Sequence, residues 1–131
     1  MKALDVQIGG NHYKNMKMQP VELFAKTRCT AFQANIWKYI TRYKYKNGAE
    51  DIKKCMHYAK LAKELGCYGN LDDSKIMDVQ KFCKKNKLHE ITRDIVLLAA
   101  YDAYGGIIRK CEELLNEEYP ESFIPCMAHD K

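Results

Sequence analysis

Residues 31–65 read AFQANIWKYITRYKYKNGAEDIKKCMHYAKLAKEL, and this stretch decides the fold. Phe32, Ile36, Tyr39, Ile40 and Tyr43 recur at i, i+4, i+7, i+8 and i+11. That spacing puts apolar side chains on one stripe of a helix and predicts one over about 31–46. Asn47-Gly48 ends it, because glycine accepts the left-handed backbone of a helix cap. Ile52, Cys55, Met56, Ala59, Ala62 and Leu65 mark the buried face of a second helix, about 50–65. Glu50 and Asp51 stand in its first turn, where carboxylates complement the positive end of the helix dipole.

Working outward, Pro20 suits the first turn of a short helix over about 20–27. Before it, Leu4-Asp5-Val6-Gln7-Ile8 alternates apolar and polar residues and predicts a short strand ending at Gly9-Gly10. After the central pair, Ser74 is placed to cap a helix of about 75–86 with Ile76, Val79 and Cys83 inward. Residues 90–104 predict another, and Gly105-Gly106 interrupts it before a last helix of about 107–118. The tail from Tyr119, with Pro120 and Pro125, reads as irregular. The expected fold class is mainly α, a compact helical domain with a short N-terminal β element.

The chain has 131 residues, which predicts a single domain over 1–131. Its net charge of +5 conceals an asymmetry: residues 1–66 carry 13 Lys/Arg against 5 Asp/Glu, and residues 67–131 carry 9 against 12. The turn-rich stretch 66–70 divides a basic module from a more acidic one, and the basic module suits an anionic partner. No apolar run approaches the ~18 residues of a membrane span, and the first ten residues lack the apolar core of a leader. A cytoplasmic location without membrane partners is therefore expected. The six cysteines include no CxxC pair, so they predict small buried side chains rather than a metal site. No cofactor and no metal are expected.

Several enzyme signatures are absent: the GxxxxGK[ST] phosphate loop, GxGxxG after a strand, HExxH and GxSxG. Two clusters remain. In Gly9-Gly10-Asn11-His12-Tyr13-Lys14, the glycines allow close backbone approach to a ligand. There Asn11 suits a base edge, His12 and Tyr13 a base or ribose, and Lys14 a phosphate; a plain strand-to-loop turn is the simpler alternative. In the second cluster Lys38, Arg42 and Lys46 are spaced i, i+4, i+8, which forms a cationic stripe beside Trp37. Charge interleaved with aromatic rings suits a phosphate-bearing base, although a solvated helix face with core tyrosines gives the same pattern. Outside these clusters, Arg28 and Arg109 are bidentate phosphate candidates, and Phe82 is a candidate apolar wall. A surface ion pair is the simpler account of Arg109.

Gly-Gly-Asn-His-Tyr-Lys (9–14), Gln19-Pro20, Asn35 to Lys44, Lys46-Asn47-Gly48, Glu50 to Lys54 and His57-Tyr58 together resemble a widespread family of small, uncharacterised bacteriophage proteins. The resemblance covers about residues 8–66 and leaves 67–131 outside it. It implies a phage-encoded protein of the infected bacterial cytoplasm that handles nucleotides. One kind of member resembles a nucleoside-monophosphate kinase without a P-loop. In size and character the chain is also similar to compact phage sponges against the Thoeris and CBASS defences, which hold cyclic ADP-ribose or cyclic oligonucleotide signals without degrading them. Because the basic module has few acids to hold Mg²⁺, the expectation is a non-enzymatic sponge for a cyclic nucleotide. The kinase is the alternative and nucleic-acid binding the second. A homo-oligomer, basic half against acidic half, is the expected assembly.

Overall fold

A computed structural model of the chain describes residues 2–8, 10, 12–13 and 15–122. Its α-helices are α1 (Pro20–Thr27), α2 (Ala31–Arg42), α3 (Ala49–Leu65), α4 (Asp73–Lys85), α5 (Glu90–Ala100) and α6 (Tyr104–Glu118). The protein is a helical fold. No helix among the described residues is long and apolar enough to cross a membrane.

The helix ends follow from local chemistry. The Glu22 carboxylate accepts from the Gln19 N–H at 2.7 Å, which tethers the start of α1. Thr30 and Gln33 cap α2 reciprocally: Gln33 N–H donates to Thr30 Oγ1 and Thr30 N–H donates to Gln33 Oε1, both at 3.1 Å. Asp72, rather than Ser74, caps α4 by accepting from Lys75 N–H at 2.9 Å. Gly66 closes α3 in the left-handed conformation, as expected of a helix-terminal glycine.

The packing forms two rings that share one contact. In the first, α2 meets α3, α3 meets α6, α6 meets α5 and α5 returns to α2. In the second, α2 meets α1, α1 meets α4 and α4 meets α5. The shared α2–α5 contact is where Trp37 lies, fully buried, its Nε1–H donating to Val96 O at 3.0 Å and its ring stacked on Phe24. The buried apolar side chains of both rings form one cluster that includes Ile36, Ile52, Phe82, Ile95 and Ile107. Gln33 crosses the same seam, its Nε2 donating to Ala99 O at 3.0 Å and to Asp102 Oδ1 at 3.3 Å. Asp102 also accepts from Gly69 N–H at 2.8 Å and Asn70 N–H at 3.0 Å, so one carboxylate pins the 66–71 turn to the end of α5.

Three expectations are corrected. The segment expected to be a strand is a 3₁₀ turn at Ala3–Asp5 followed by extended chain, and the described residues contain no strand. Leu4, Val6 and Ile8 are all exposed, so their alternation lacks the sheet partner that would bury one face. The break before α6 falls at 101–103, not at Gly105-Gly106: Asp102 takes the left-handed turn at φ 58°, and both glycines lie in the first turn of α6. A Cβ on Gly106 would lie 3.3 Å from the Leu98 side chain, so glycine there serves the close α5–α6 contact. Finally, Leu65 is 69% exposed, beyond the face that α3 buries. The cysteines follow the sequence: Cys55, Cys83 and Cys111 are buried, Cys29 and Cys67 are half-buried, and these five are free thiols.

Candidate functional site

Described residues of the two sequence clusters, among them Tyr13, Arg42 and Asn47, gather around one buried ion pair. Arg42 Nε and Nη2 donate to the Asp51 carboxylate at 3.1 and 3.2 Å, a two-pronged contact in a site where Asp51 is fully buried. Asn47 adds longer bonds to the same carboxylate, 3.4 Å from its N–H and 3.5 Å from its Nδ2. The geometry explains the chain path: α2 ends at Arg42, a 3₁₀ turn covers Tyr43–Tyr45, and Asp51 in the first turn of α3 draws the two helices together. The Tyr13 hydroxyl lies beside the Arg42 guanidinium but makes no hydrogen bond of normal geometry.

On one side of this pair opens a cleft of about 480 Å³, within the usual range for small-molecule sites. The N-terminal loop, the end of α2 and the α4–α5 turn enclose it. Lys17, Lys85 and Lys87 line it, with His12, Asn15, Thr41, Tyr45 and Asn86, and none of the described residues lining it is acidic. Asn86 holds the walls together: its Oδ1 accepts from Met18 N–H at 3.2 Å and its Nδ2 donates to Met18 O at 2.8 Å. Lys87 sits at φ 51°, a conformation easier for glycine, and there the chain presents a lysine to the cleft.

His12 is poised as a donor. Gln7 Oε1 accepts from Tyr13 N–H, which turns Gln7 Nε2 toward His12 Nδ1 at 3.2 Å. Nδ1 must therefore accept, the ring proton sits on Nε2, and Nε2 has no partner although it is buried. Burial lowers the His12 pKa, and the nearby Lys46 and Arg42 charges lower it further, so the ring is neutral near pH 7. Its plane lies parallel to the exposed Tyr45 ring, with centroids 6.2 Å apart.

The cleft continues into a cavity of about 300 Å³ that shares Thr41, Tyr45, Asn86, Lys87 and Leu88 and reaches Tyr43 and His89. Past His89 acidic residues outnumber basic ones, with Glu90, Glu117 and Glu118 beside Lys44 around a further space of about 470 Å³. Tyr43 links the two regions, its hydroxyl donating to Glu118 Oε2 at 2.7 Å and lying 3.3 Å from His89 Nε2. Burial, then the Glu118 carboxylate, raises the Tyr43 pKa far above the usual phenol value, so it remains a donor. The groove therefore runs from a cationic end to an anionic one.

Against Arg42 also lies an aromatic and basic face. Tyr39 stacks on Tyr58 with centroids 5.8 Å apart, and Phe32 meets Tyr58 edge-on. Lys38 Nζ lies 4.9 Å, Arg42 Cζ 4.7 Å and Lys54 Nζ 5.4 Å from the Tyr39 ring centre.

The structure divides the expected site residues. His12 lines the cleft, exposed Lys46 contributes to its field, and Tyr13 and Lys38 meet at a smaller pocket against Pro20, Val21 and Phe24. Asn11 and Lys14 lie outside the described residues. Trp37 and Phe82 are corrected: both are fully buried in the apolar core and present no surface to a ligand. Arg42 is corrected as a free cation, because Asp51 neutralises it. The even cationic stripe is corrected with it, since the helix tightens to 3₁₀ after Arg42 and Lys46 leaves the i+4 register. Arg28 and Arg109 are exposed and line none of these cavities, and Arg109 makes no ion pair among the described residues. Lys17, Lys85, Asn86 and Lys87 were missed. The run Lys84-Lys85-Asn86-Lys87 was the available signal, a basic break after an amphipathic helix. Among the described residues no group of three or more His, Cys, Asp or Glu is placed to hold a metal ion.

Residues 9–60 match the profile of a family described as a protein of unknown function (DUF3310). No curated protein and no solved structure matches the chain.

Proposed function

We propose that this protein binds and sequesters a phosphate-bearing nucleotide, without turning it over, in the cleft between its N-terminal loop and the α4–α5 turn. The observation that carries this reading is a cleft of about 480 Å³ with three lysines and, among the described residues, an unpartnered His12 Nε2 donor and no acidic lining residue. Phosphates neutralise the lysines and accept from His12, while the exposed Tyr45 ring offers a base a stacking surface. Glutamates beyond His89 suit the hydroxyl and amine donors of a ribose and base, so the groove's polarity orients the ligand. The carboxylate nearest the basic cluster, Asp51, is engaged by Arg42, which favours holding over phosphoryl transfer. The resemblance to phage proteins supplies the ligand class: a cyclic ADP-ribose type defence signal, or a cyclic oligonucleotide, in the infected cell's cytoplasm. A second copy, with its acidic half against this basic half, belongs to the same proposal and is read by sedimentation.

The test is calorimetric titration with cyclic ADP-ribose isomers and cyclic di- and trinucleotides, followed by heat release of the ligand. Saturable binding and intact recovery support the proposal, and absence of binding or a processed ligand overturns it. Formation of nucleoside diphosphates from ATP, Mg²⁺ and nucleoside monophosphates would establish the kinase instead. Steeply salt-dependent binding of oligonucleotides alone would establish a nucleic-acid function.

A further inference from the structure

The basic face around Tyr39 shares no residue with the cleft lining, and its lysine charges are unbalanced among the described residues. Lys38 and Lys54 come from different helices, α2 and α3, yet both ammonium groups converge on the Tyr39 ring at 4.9 and 5.4 Å from its centre. Neither has a carboxylate partner among the described residues. Arg42 lies on the same ring at 4.7 Å, with its charge already balanced by Asp51. Two like charges held near one ring repel each other, and the attraction of one half-buried ring is too weak to balance a pair of them. The Tyr13 hydroxyl, buried and without a hydrogen-bond partner, lies beside Arg42 and shares a pocket with Lys38. Its burial keeps the phenol protonated, so it is a donor without an acceptor.

Two cations without counter-charges and one orphaned hydroxyl donor lack the same thing, a compact anion with several acceptor oxygens. We propose that Lys38, Lys54 and Tyr13 form a second anion site over the Tyr39 ring that takes a phosphate group carrying two negative charges. A tetrahedral phosphate accepts from both ammonium groups and from the phenol at once. The Tyr39–Tyr58 stack joins α2 to α3, the helices that carry the two lysines. Free phosphate and the terminal phosphate of a monoester offer this same chemistry. The site uses none of the residues that line the cleft, so it stands or falls separately from nucleotide sequestration.

The experiment is calorimetric titration of the full chain with inorganic phosphate and, in parallel, phenyl phosphate at fixed ionic strength. The expected result is saturable binding that includes one equivalent dependent on Lys38 and Lys54, and any further equivalent that Lys85→Ala with Lys87→Ala removes belongs to the cleft. Lys38→Met and Lys54→Met, which keep the apolar stems packed, each weaken that first equivalent about tenfold or more, as loss of a charge-assisted hydrogen bond does. Tyr13→Phe weakens it less, and Lys85→Ala with Lys87→Ala leaves it unchanged. Tighter binding of phenyl phosphate assigns the site to monoesters, and equal affinity assigns it to free phosphate. Circular dichroism checks that each variant is folded. If a methionine variant fails that check, Lys38→Gln and Lys54→Gln take its place. Absence of saturable binding overturns the proposal, as does a full stoichiometry that survives in the folded Lys38/Lys54 double variant or that vanishes entirely with Lys85 and Lys87.

Discussion

Arg42→Ala separates the two roles this arginine can have. The guanidinium makes two hydrogen bonds, 3.1 and 3.2 Å, to a carboxylate with no solvent access. Removing it leaves Asp51 charged and buried, with only the 3.4 and 3.5 Å contacts from Asn47. Breaking one side of a buried pair costs about 3–5 kcal/mol, a large part of the 5–15 kcal/mol that holds a typical domain folded. For a chain of this length the melting temperature should fall by about 10–20 °C. Urea unfolding followed by fluorescence is the assay, because the single tryptophan, Trp37, is fully buried at the α2–α5 contact and reports loss of the core. Arg42→Met combined with Asp51→Leu removes both charges and should recover most of the loss, since apolar replacements of buried pairs are often neutral or stabilising. A cost below about 1 kcal/mol, the range of surface pairs, together with a selective loss of nucleotide affinity would refute the structural role and restore Arg42 as a ligand contact.

Lys85→Ala and Lys87→Ala should each weaken nucleotide binding about tenfold or more, with little change in unfolding free energy, because both side chains are exposed; calorimetry and urea titration check the two halves of that statement. Gly69→Ala should destabilise by about 2–3 kcal/mol, measured by urea unfolding, because the new Cβ would lie 2.6 Å from Gln33 Cδ and Gln33 is held by Thr30, Ala99 and Asp102. His12 has a folded pKa below 6.5, so its contribution to stability is complete above about pH 6.5 and is lost as pH falls through that value toward the folded pKa. A phosphodiester in the cleft reverses the effect on binding by favouring the protonated ring. Affinity should then rise from pH 7.5 to 5.5, and His12→Gln should flatten the profile.

The helices were legible because their signals are local. The 3.6-residue period of Ile36, Ile40 and Tyr43, the glycine at 66 and the carboxylates at 50 and 51 do not need tertiary context. The strand expected over 4–8 was not legible, since alternation shows a strand only if a second strand exists to pair with it. The candidate site was half legible. Its elements were marked by basic and aromatic residues, but charge alone does not say which cation meets solvent. Arg42 and Lys38 are four residues apart on one helix, and only the position of Asp51 across the α2–α3 junction makes the first internal. Trp37 looked like a stacking platform for the same reason: an aromatic beside lysines reads alike whether it faces a ligand or the core. Lys85 and Lys87 were hidden by averaging, because they lie in the half of the chain with net negative charge.

That last point changes what the two halves do. Residues 9–60, the span of the family match, build the frame: Arg42, Asn47 and Asp51 join α2 to α3, and Tyr39 stacks on Tyr58. Two of the three lysines lining the cleft come from outside that span, on a turn fixed by Asn86 bonding to the backbone of Met18. The Asn86–Met18 bonds thus join this part of the cleft lining to the frame. Asn86→Ala would leave the ion pair untouched while releasing both Met18 bonds, and so should loosen the cleft without dismantling the core. Nucleotide affinity should drop by a larger factor than the loss of two half-buried hydrogen bonds would give in stability, about 1–3 kcal/mol, because Lys85 and Lys87 lose their shared position at once. An equal loss in Asn86→Ala and in Lys85→Ala, with hydrogen exchange at Met18 unchanged, would show instead that the turn holds its place without those bonds.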